Sequence, residues 1–261
     1  MPQSQLHQTI PVPILHRLRT AKHYLFDLDD TLHSFRAVSS TATKAVLNDM
    51  LKQTQYTLED LQISYKTILT HSTAAAFVEG KSSHHYRAER FQQLARLQSI
   101  PLGSEKLQGL VDLYERVLMQ SLELKPGVMG LFAVLKRYGK GIAIVTEGPQ
   151  DAQERTVEAL GLATRIDYLA TTNKFGVAKV DGLFERVVEE LEIGAGEVVV
   201  VGDSWERDVL PAAKAGAFCV HYDEGGLRGG EIAEGWRVGR LEELRVLVEA
   251  AHSEFEIQSD L

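Results

Sequence analysis

The chain has 261 residues, 44% of them hydrophobic, with 36 acids against 28 Lys and Arg for a formal charge of −8; it is long enough for one large domain or two modest ones around a substantial core. An acidic balance with no Lys/Arg-rich run leaves no footprint for a nucleic-acid polymer, and no segment reaches the length of a membrane span. The lone cysteine, Cys219, excludes an intrachain disulfide and sits in the apolar stretch AFCVH as a buried hydrophobe, and the N-terminus lacks a signal-peptide pattern, so a cytoplasmic protein is expected.

Residues 1–22 carry three prolines and no sustained periodicity, and read as an N-terminal arm that orders by packing on the body. The first strand covers residues 24–28, where Tyr24, Leu25 and Phe26 run straight into Asp27, Asp29 and Asp30. The texture then changes to helical spacing. Ala42, Ala45, Val46, Met50 and Leu51 share one face, Thr57 caps a second helix, HHYRAERFQQLARL forms a third and the run behind Ser104 a fourth, so residues 35–123 predict an all-α bundle.

Beyond residue 124 strands and helices alternate. Strands are expected at 141–146, 167–172, 197–203 and 217–222, and helices at 129–138, 151–160, 183–191 and 207–215. Continuous apolar strands separated by helices predict a parallel sheet covered on both faces. The expected fold is therefore α/β: a Rossmann-like, doubly wound core from residues 23–34 and 124–250, interrupted by a helical cap at 35–123 and followed by a tail at 251–261. The run EGGLRGG at 224–230 lacks the order of a phosphate loop and reads as a loop at the mouth of the sheet.

In such a sheet functional groups collect at the carboxyl ends of the strands, near the point where strand order reverses. That rule brings together Asp27 and Asp29, Thr146, and Asp203, with Asp208 five residues further on. Carboxylates sharing a site need a compensating charge, and hard oxygen donors without a His or Cys cluster suit Mg²⁺. A divalent ion beside a carboxylate in turn suits a phosphoryl group.

FDLDDTL, IVTEG, Lys179 and VGDSWERDVLPAAKAG resemble, in order and spacing, the four motifs of the haloacid dehalogenase-like hydrolase superfamily, and the helical block stands where that family's first type of cap is inserted. The resemblance implies Asp27 as nucleophile, forming an aspartyl-phosphate, and Asp29 as the acid and base. It implies Thr146, Glu147 and Lys179 at the phosphate, Glu147 standing where asparagine is common. Mg²⁺ would be held by Asp27, the backbone carbonyl of Asp29 and Asp203, with Asp208 steadying its waters or Lys179. No proline follows the motif-three lysine, so Lys174 remains a rival to Lys179. In the cap segment, Lys81, Arg87 and Arg90 either meet a substrate anion or form a solvated charged face, and His33 reads as a bystander.

The implied activity is hydrolysis of a small phosphorylated metabolite, a nucleotide, sugar phosphate or similar, by a monomer or homodimer with no nucleic-acid or membrane partner. The carboxylate at Asp29 favours a phosphatase over members that displace halide. A phosphomutase of the same family is the nearest rival, with a phospho-accepting signalling domain or a non-catalytic binder further off.

Overall fold

The computed structural model describes residues 10–73, 75–226 and 229–259. Its first elements are α1 (Val12–Thr20) and β1 (His23–Phe26), followed by four helices, α2 (Phe35–Leu51), α3 (Leu58–Thr73), α4 (Ser83–Leu97) and α5 (Ser104–Gln120). Alternation then follows through α6 (Val128–Arg137), β2 (Gly141–Thr146), α7 (Gln150–Ala159), β3 (Tyr168–Thr171), α8 (Thr172–Phe175), α9 (Leu183–Glu190), β4 (Val198–Gly202), α10 (Leu210–Lys214) and β5 (Phe218–Tyr222). A hairpin of β6 (Gly230–Ile232) and β7 (Gly235–Val238) and the helix α11 (Leu241–Ser259) complete the described chain.

The strands form one sheet in the order β3-β2-β1-β4-β5-β7-β6, parallel throughout except for β6 against β7. From β1 the chain winds outward through β2 and β3, then returns to β4 on the other side of β1. The reversal therefore lies between β1 and β4, where Phe26 is paired with Val201. Alternate residues of each strand feed opposite layers. Tyr24, Phe26, Ile142, Ile144, Val199 and Val201 pack with α1, α6 and α11, whereas Leu25, Ala143, Val145, Val198 and Val200 pack with α9 and Cys219. Burial pushes the Cys219 thiol up to about 12, in keeping with a packing residue.

The helices α2 to α5 bury a separate apolar cluster, centred on Leu47, Met50, Leu61, Phe91, Leu94 and Leu118. Thr57 does cap α3: its hydroxyl accepts from the Asp60 amide while its own amide donates to the Asp60 carboxylate. Polar bonds join this layer to the sheet side. Ser83 donates to Asp151 from its amide (2.9 Å) and its hydroxyl (2.7 Å), Arg155 donates to Glu115 (2.6 Å), and the Asn173 side-chain amide donates to the Phe77 carbonyl (3.0 Å).

Four segments differ from expectation. Within the span read as an arm, Val12–Thr20 form α1, whose buried Ile14, Leu15 and Leu18 pack against the core while His16, Arg17 and Arg19 dilute the apolar signal. The helix expected at 207–215 begins as a wide π turn, Trp205–Val209, before α10, and α11 continues through most of the span read as a tail. The β6–β7 hairpin was not expected; Leu227 and Arg228 of the preceding loop lie outside the described residues.

His252, on α11, stacks on Tyr138 at 3.8 Å between ring centroids, and its Nδ1 donates to the Val248 carbonyl. Burial lowers its pKa, outweighing that backbone bond, so the unfolded chain takes up the proton first as pH falls through about 6.5. The native state therefore loses stability on acidification. His252→Phe keeps the stack and removes the titration; its melting temperature relative to wild type is expected to rise as pH is lowered from 7 to 5.5. A pH-independent difference would count against this.

Candidate active site

β1 delivers Asp27 to the switch point, and its amide still donates to the Val201 carbonyl at 2.9 Å, so the residue is fixed by the sheet. Its side chain is buried. Oδ1 accepts from Lys179 Nζ at 2.6 Å and Oδ2 from the Thr31 hydroxyl at 2.8 Å. Thr31 Oγ1 also accepts from the Asp203 amide at 3.0 Å, bracing the turn after β1 against the end of β4. Asp30 makes that turn in the left-handed region (φ 66°), with its carboxylate on the Arg36 amide at the start of α2.

Lys179 lies on one turn of 3₁₀ helix and is fully enclosed; its ammonium donates to Asp27 and to Asp208, both at 2.6 Å. Burial alone would lower its pKa, but the Asp208 and Asp27 carboxylates outweigh it and hold the lysine charged. Lys174, the rival, sits instead over the Tyr168 and Phe175 rings. Asp208 comes from the π turn, and its Oδ2 accepts from the Ser204 amide at 3.0 Å. Burial pushes its pKa up to about 7 against the pull of Lys179. Gly202 is required here because a Cβ would stand 2.3 Å from Asp208 Cγ.

Asp203 completes the acids. Burial and then the Asp27 charge raise its pKa, and the exposed Arg36 reaches its carboxylate at 3.3 Å. Carboxylate oxygens of Asp27, Asp203 and Asp208 come within 4.8 Å of one another. Lys179 is shared by Asp27 and Asp208 while Asp203 meets only the exposed side chain of Arg36, which leaves the cluster short of positive charge, and the donors are all hard oxygens, so this set fits a small divalent cation such as Mg²⁺.

Asp29 is not one of that trio. Its carboxylate lies between His33 Nε2 (2.9 Å) and the Gln153 side-chain amide (3.2 Å). His33 is completely buried, and neither His33 nor Gln153 was expected as part of the site. The sequence signal available for His33 was only its spacing of four from Asp29. Thr146, at the end of β2, is buried with an unpartnered hydroxyl. Glu147 accepts from the Lys179 amide (3.3 Å) and the Arg207 guanidinium (3.5 Å), so its carboxylate is engaged with neighbouring cations and amides.

Asp27, Asp29, Thr146, Glu147, Lys179, Asp203 and Asp208 all line one cavity of about 310 Å³, which extends under the helical layer to Tyr65, Phe77, Arg87, Arg90 and Tyr114. Lys81 is not in its wall and pairs with Glu79 and Glu89.

A doubly wound α/β protein with a buried carboxylate–lysine centre at its switch point, beneath a cavity roofed by helices, is what the fold and the site define. More narrowly, the chain belongs to the haloacid dehalogenase-like hydrolases, whose family profile matches residues 21–216. It is 26% identical over 201 residues to a ribulose-1,5-bisphosphate 5-phosphatase of Halopiger xanaduensis, covering 76% of this chain and 83% of that one. It is also 26% identical over 229 residues to the pyrimidine 5'-nucleotidase YjjG of Escherichia coli, covering 85% and 96%. The magnesium-bound HAD-hydrolase YfnB of Bacillus subtilis shares the fold with a TM-score of 0.68 at 22% identity, covering 88% of this chain and 99% of that one.

Among the described residues no helix is long and apolar enough to cross a membrane.

Proposed function

We propose that the protein is a Mg²⁺-dependent phosphatase that hydrolyses a small-metabolite phosphomonoester through an aspartyl-phosphate on Asp27. The observation that carries this reading is the convergence, on one cavity, of the Lys179-bound Asp27, the separately held Asp29 and the unpartnered hydroxyl of Thr146. Relatives named as phosphatases and a nucleotidase support the same class.

In the first step an Asp27 oxygen attacks phosphorus, the bond to the leaving oxygen breaks, and the Asp29 carboxyl gives that oxygen its proton. In the second, Asp29 as carboxylate takes a proton from water while the water oxygen attacks phosphorus. The acyl-phosphate bond breaks, and Asp27 and inorganic phosphate are released. His33 and Gln153 hold the Asp29 carboxyl in place through both transfers. The Thr146 hydroxyl donates to a phosphoryl oxygen, and Lys179 keeps Asp27 compensated. Asp27, Asp203, Asp208 and the Asp29 carbonyl would hold Mg²⁺, which when bound neutralises the phosphoryl and carboxylate oxygens. The helices at 35–123 act as a cap that sees the leaving group and excludes water.

The test is phosphate release from a panel of phosphomonoesters with Mg²⁺ and with EDTA, wild type beside Thr146→Val. Release is expected to need the metal and to fall about 10- to 100-fold in the variant. Because the deleted hydroxyl has no protein partner, the melting temperature should stay the same or rise slightly. Release that persists in EDTA would sink the metal-dependent mechanism, and transfer of phosphate to a second hydroxyl of the substrate would indicate a mutase.

A further inference from the structure

Four Lys or Arg side chains are buried among the described residues: Arg87, Arg90, Lys125 and Lys179. Three of them face carboxylates, Lys179 with Asp27 and Asp208, Lys125 with Glu224, and Arg87 with Glu115. Among the described residues Arg90 has no such partner, although it is only 9% exposed. Its Nε donates to the Ser72 hydroxyl at 2.8 Å, the Tyr65 hydroxyl lies beside it, and its Cζ stands 5.5 Å from the centroid of the Phe77 ring. All three neighbours are neutral, and Nη2 is buried with no hydrogen-bond partner among the described residues.

An arginine stays charged in any protein interior, so a guanidinium enclosed by neutral groups is an unmet demand for an anion. The demand lies in the wall of the substrate cavity, on the helical layer, together with Tyr65, Phe77 and Tyr114. The transferred phosphoryl group has its own donors on the sheet side, Lys179 and Thr146. The planar fork of an arginine matches the paired oxygens of a carboxylate or phosphate.

We propose that the leaving part of the substrate carries a second anionic group, phosphate or carboxylate, which Arg90 binds. The aromatic wall around Arg90 then packs the carbon skeleton between the two anions. This rests on the phosphatase reading above.

The test uses the full-length protein and matched pairs of esters. Fructose 1,6-bisphosphate against fructose 6-phosphate reports a second phosphate, and 3-phosphoglycerate against glycerol 1-phosphate reports a carboxylate. In at least one pair kcat/KM is expected to be tenfold or more higher for the member with the second anion. Arg90→Met should lower that ratio roughly 10- to 100-fold, the size of one or two charge-assisted hydrogen bonds, and Arg90→Lys should restore part of it. A wild type without preference in either pair, or a ratio that survives Arg90→Met, overturns the inference.

Calorimetric binding of the same pairs to Asp27→Asn in Mg²⁺, with and without Arg90→Met, decides the inference even without turnover. Failure to hydrolyse any ester, p-nitrophenyl phosphate included, counts against the phosphatase reading alone. The melting temperature separates a structural role. Removing an uncompensated buried charge leaves it unchanged or higher, so a fall in Arg90→Met with the ratio intact marks a folding residue and overturns the inference.

Discussion

Asp27→Asn is expected to lower phosphate release by at least about 10⁴-fold, because it removes the proposed nucleophile and not merely a contact to it. The substitution keeps the shape of the side chain, and an amide still offers an acceptor to Lys179 or Thr31. It also removes one of three clustered carboxylates and leaves Lys179 paired with Asp208, so the metal-free variant should melt no lower than wild type. Loss of activity without loss of fold is the diagnostic combination. A second measurement makes the role specific: acid-quenched wild type caught during turnover should carry the mass of one phosphoryl group on the peptide containing Asp27, and the variant should carry none. A label on any other residue, or residual turnover within tenfold of wild type, would refute the assignment.

Lys179→Met should do the opposite to stability. Here the surviving partners are two buried carboxylates, Asp27 and Asp208, each deprived of a bond of 2.6 Å and both largely enclosed. Breaking a buried pair from one side costs about 3–5 kcal/mol, which for a chain of this size lowers the melting temperature by roughly 6–20 °C. Adding Asp208→Asn to Lys179→Met should recover part of that loss, because it removes one of the stranded charges. Turnover should fall at least about 10³-fold in both, since Asp27 has lost its fixed counter-charge. Additive effects in the double variant would mean that Lys179 and Asp208 are not coupled, contrary to their contact.

Much of this arrangement was legible in the sequence because its acids stand at strand ends. A run such as YLF or VVVV can only be interior sheet, so the polar residues that follow it must emerge at a common edge, and Asp27, Thr146 and Asp203 do so. What the pattern did not carry depends on local or tertiary geometry. Thr31 bridges Asp27 and Asp203 only because Asp30 turns the chain through the left-handed region, and Gln153 reaches Asp29 only through the register of α7 across the sheet. The hairpin strands β6 and β7 are three and four residues long and include glycines, too short for an alternating signal. That Arg90 lacks a carboxylate partner among the described residues is a statement about its neighbours in space, which no spacing rule contains.

The placement of the helical layer has a consequence for how the chain folds. His23 of β1 pairs with Gly141 and with Val198, partners 118 and 175 residues downstream, whereas α2 to α5 close their own apolar cluster within one contiguous stretch. Loop-closure entropy must be met before such distant strands reward it, so the helices form on a faster clock than the central strand. Asp27 thus rides on one of the last pairings to be made. Its carboxylate reaches Lys179 and Asp203 only when nearly the whole sheet is assembled, and in refolding experiments activity should return later than helical signal.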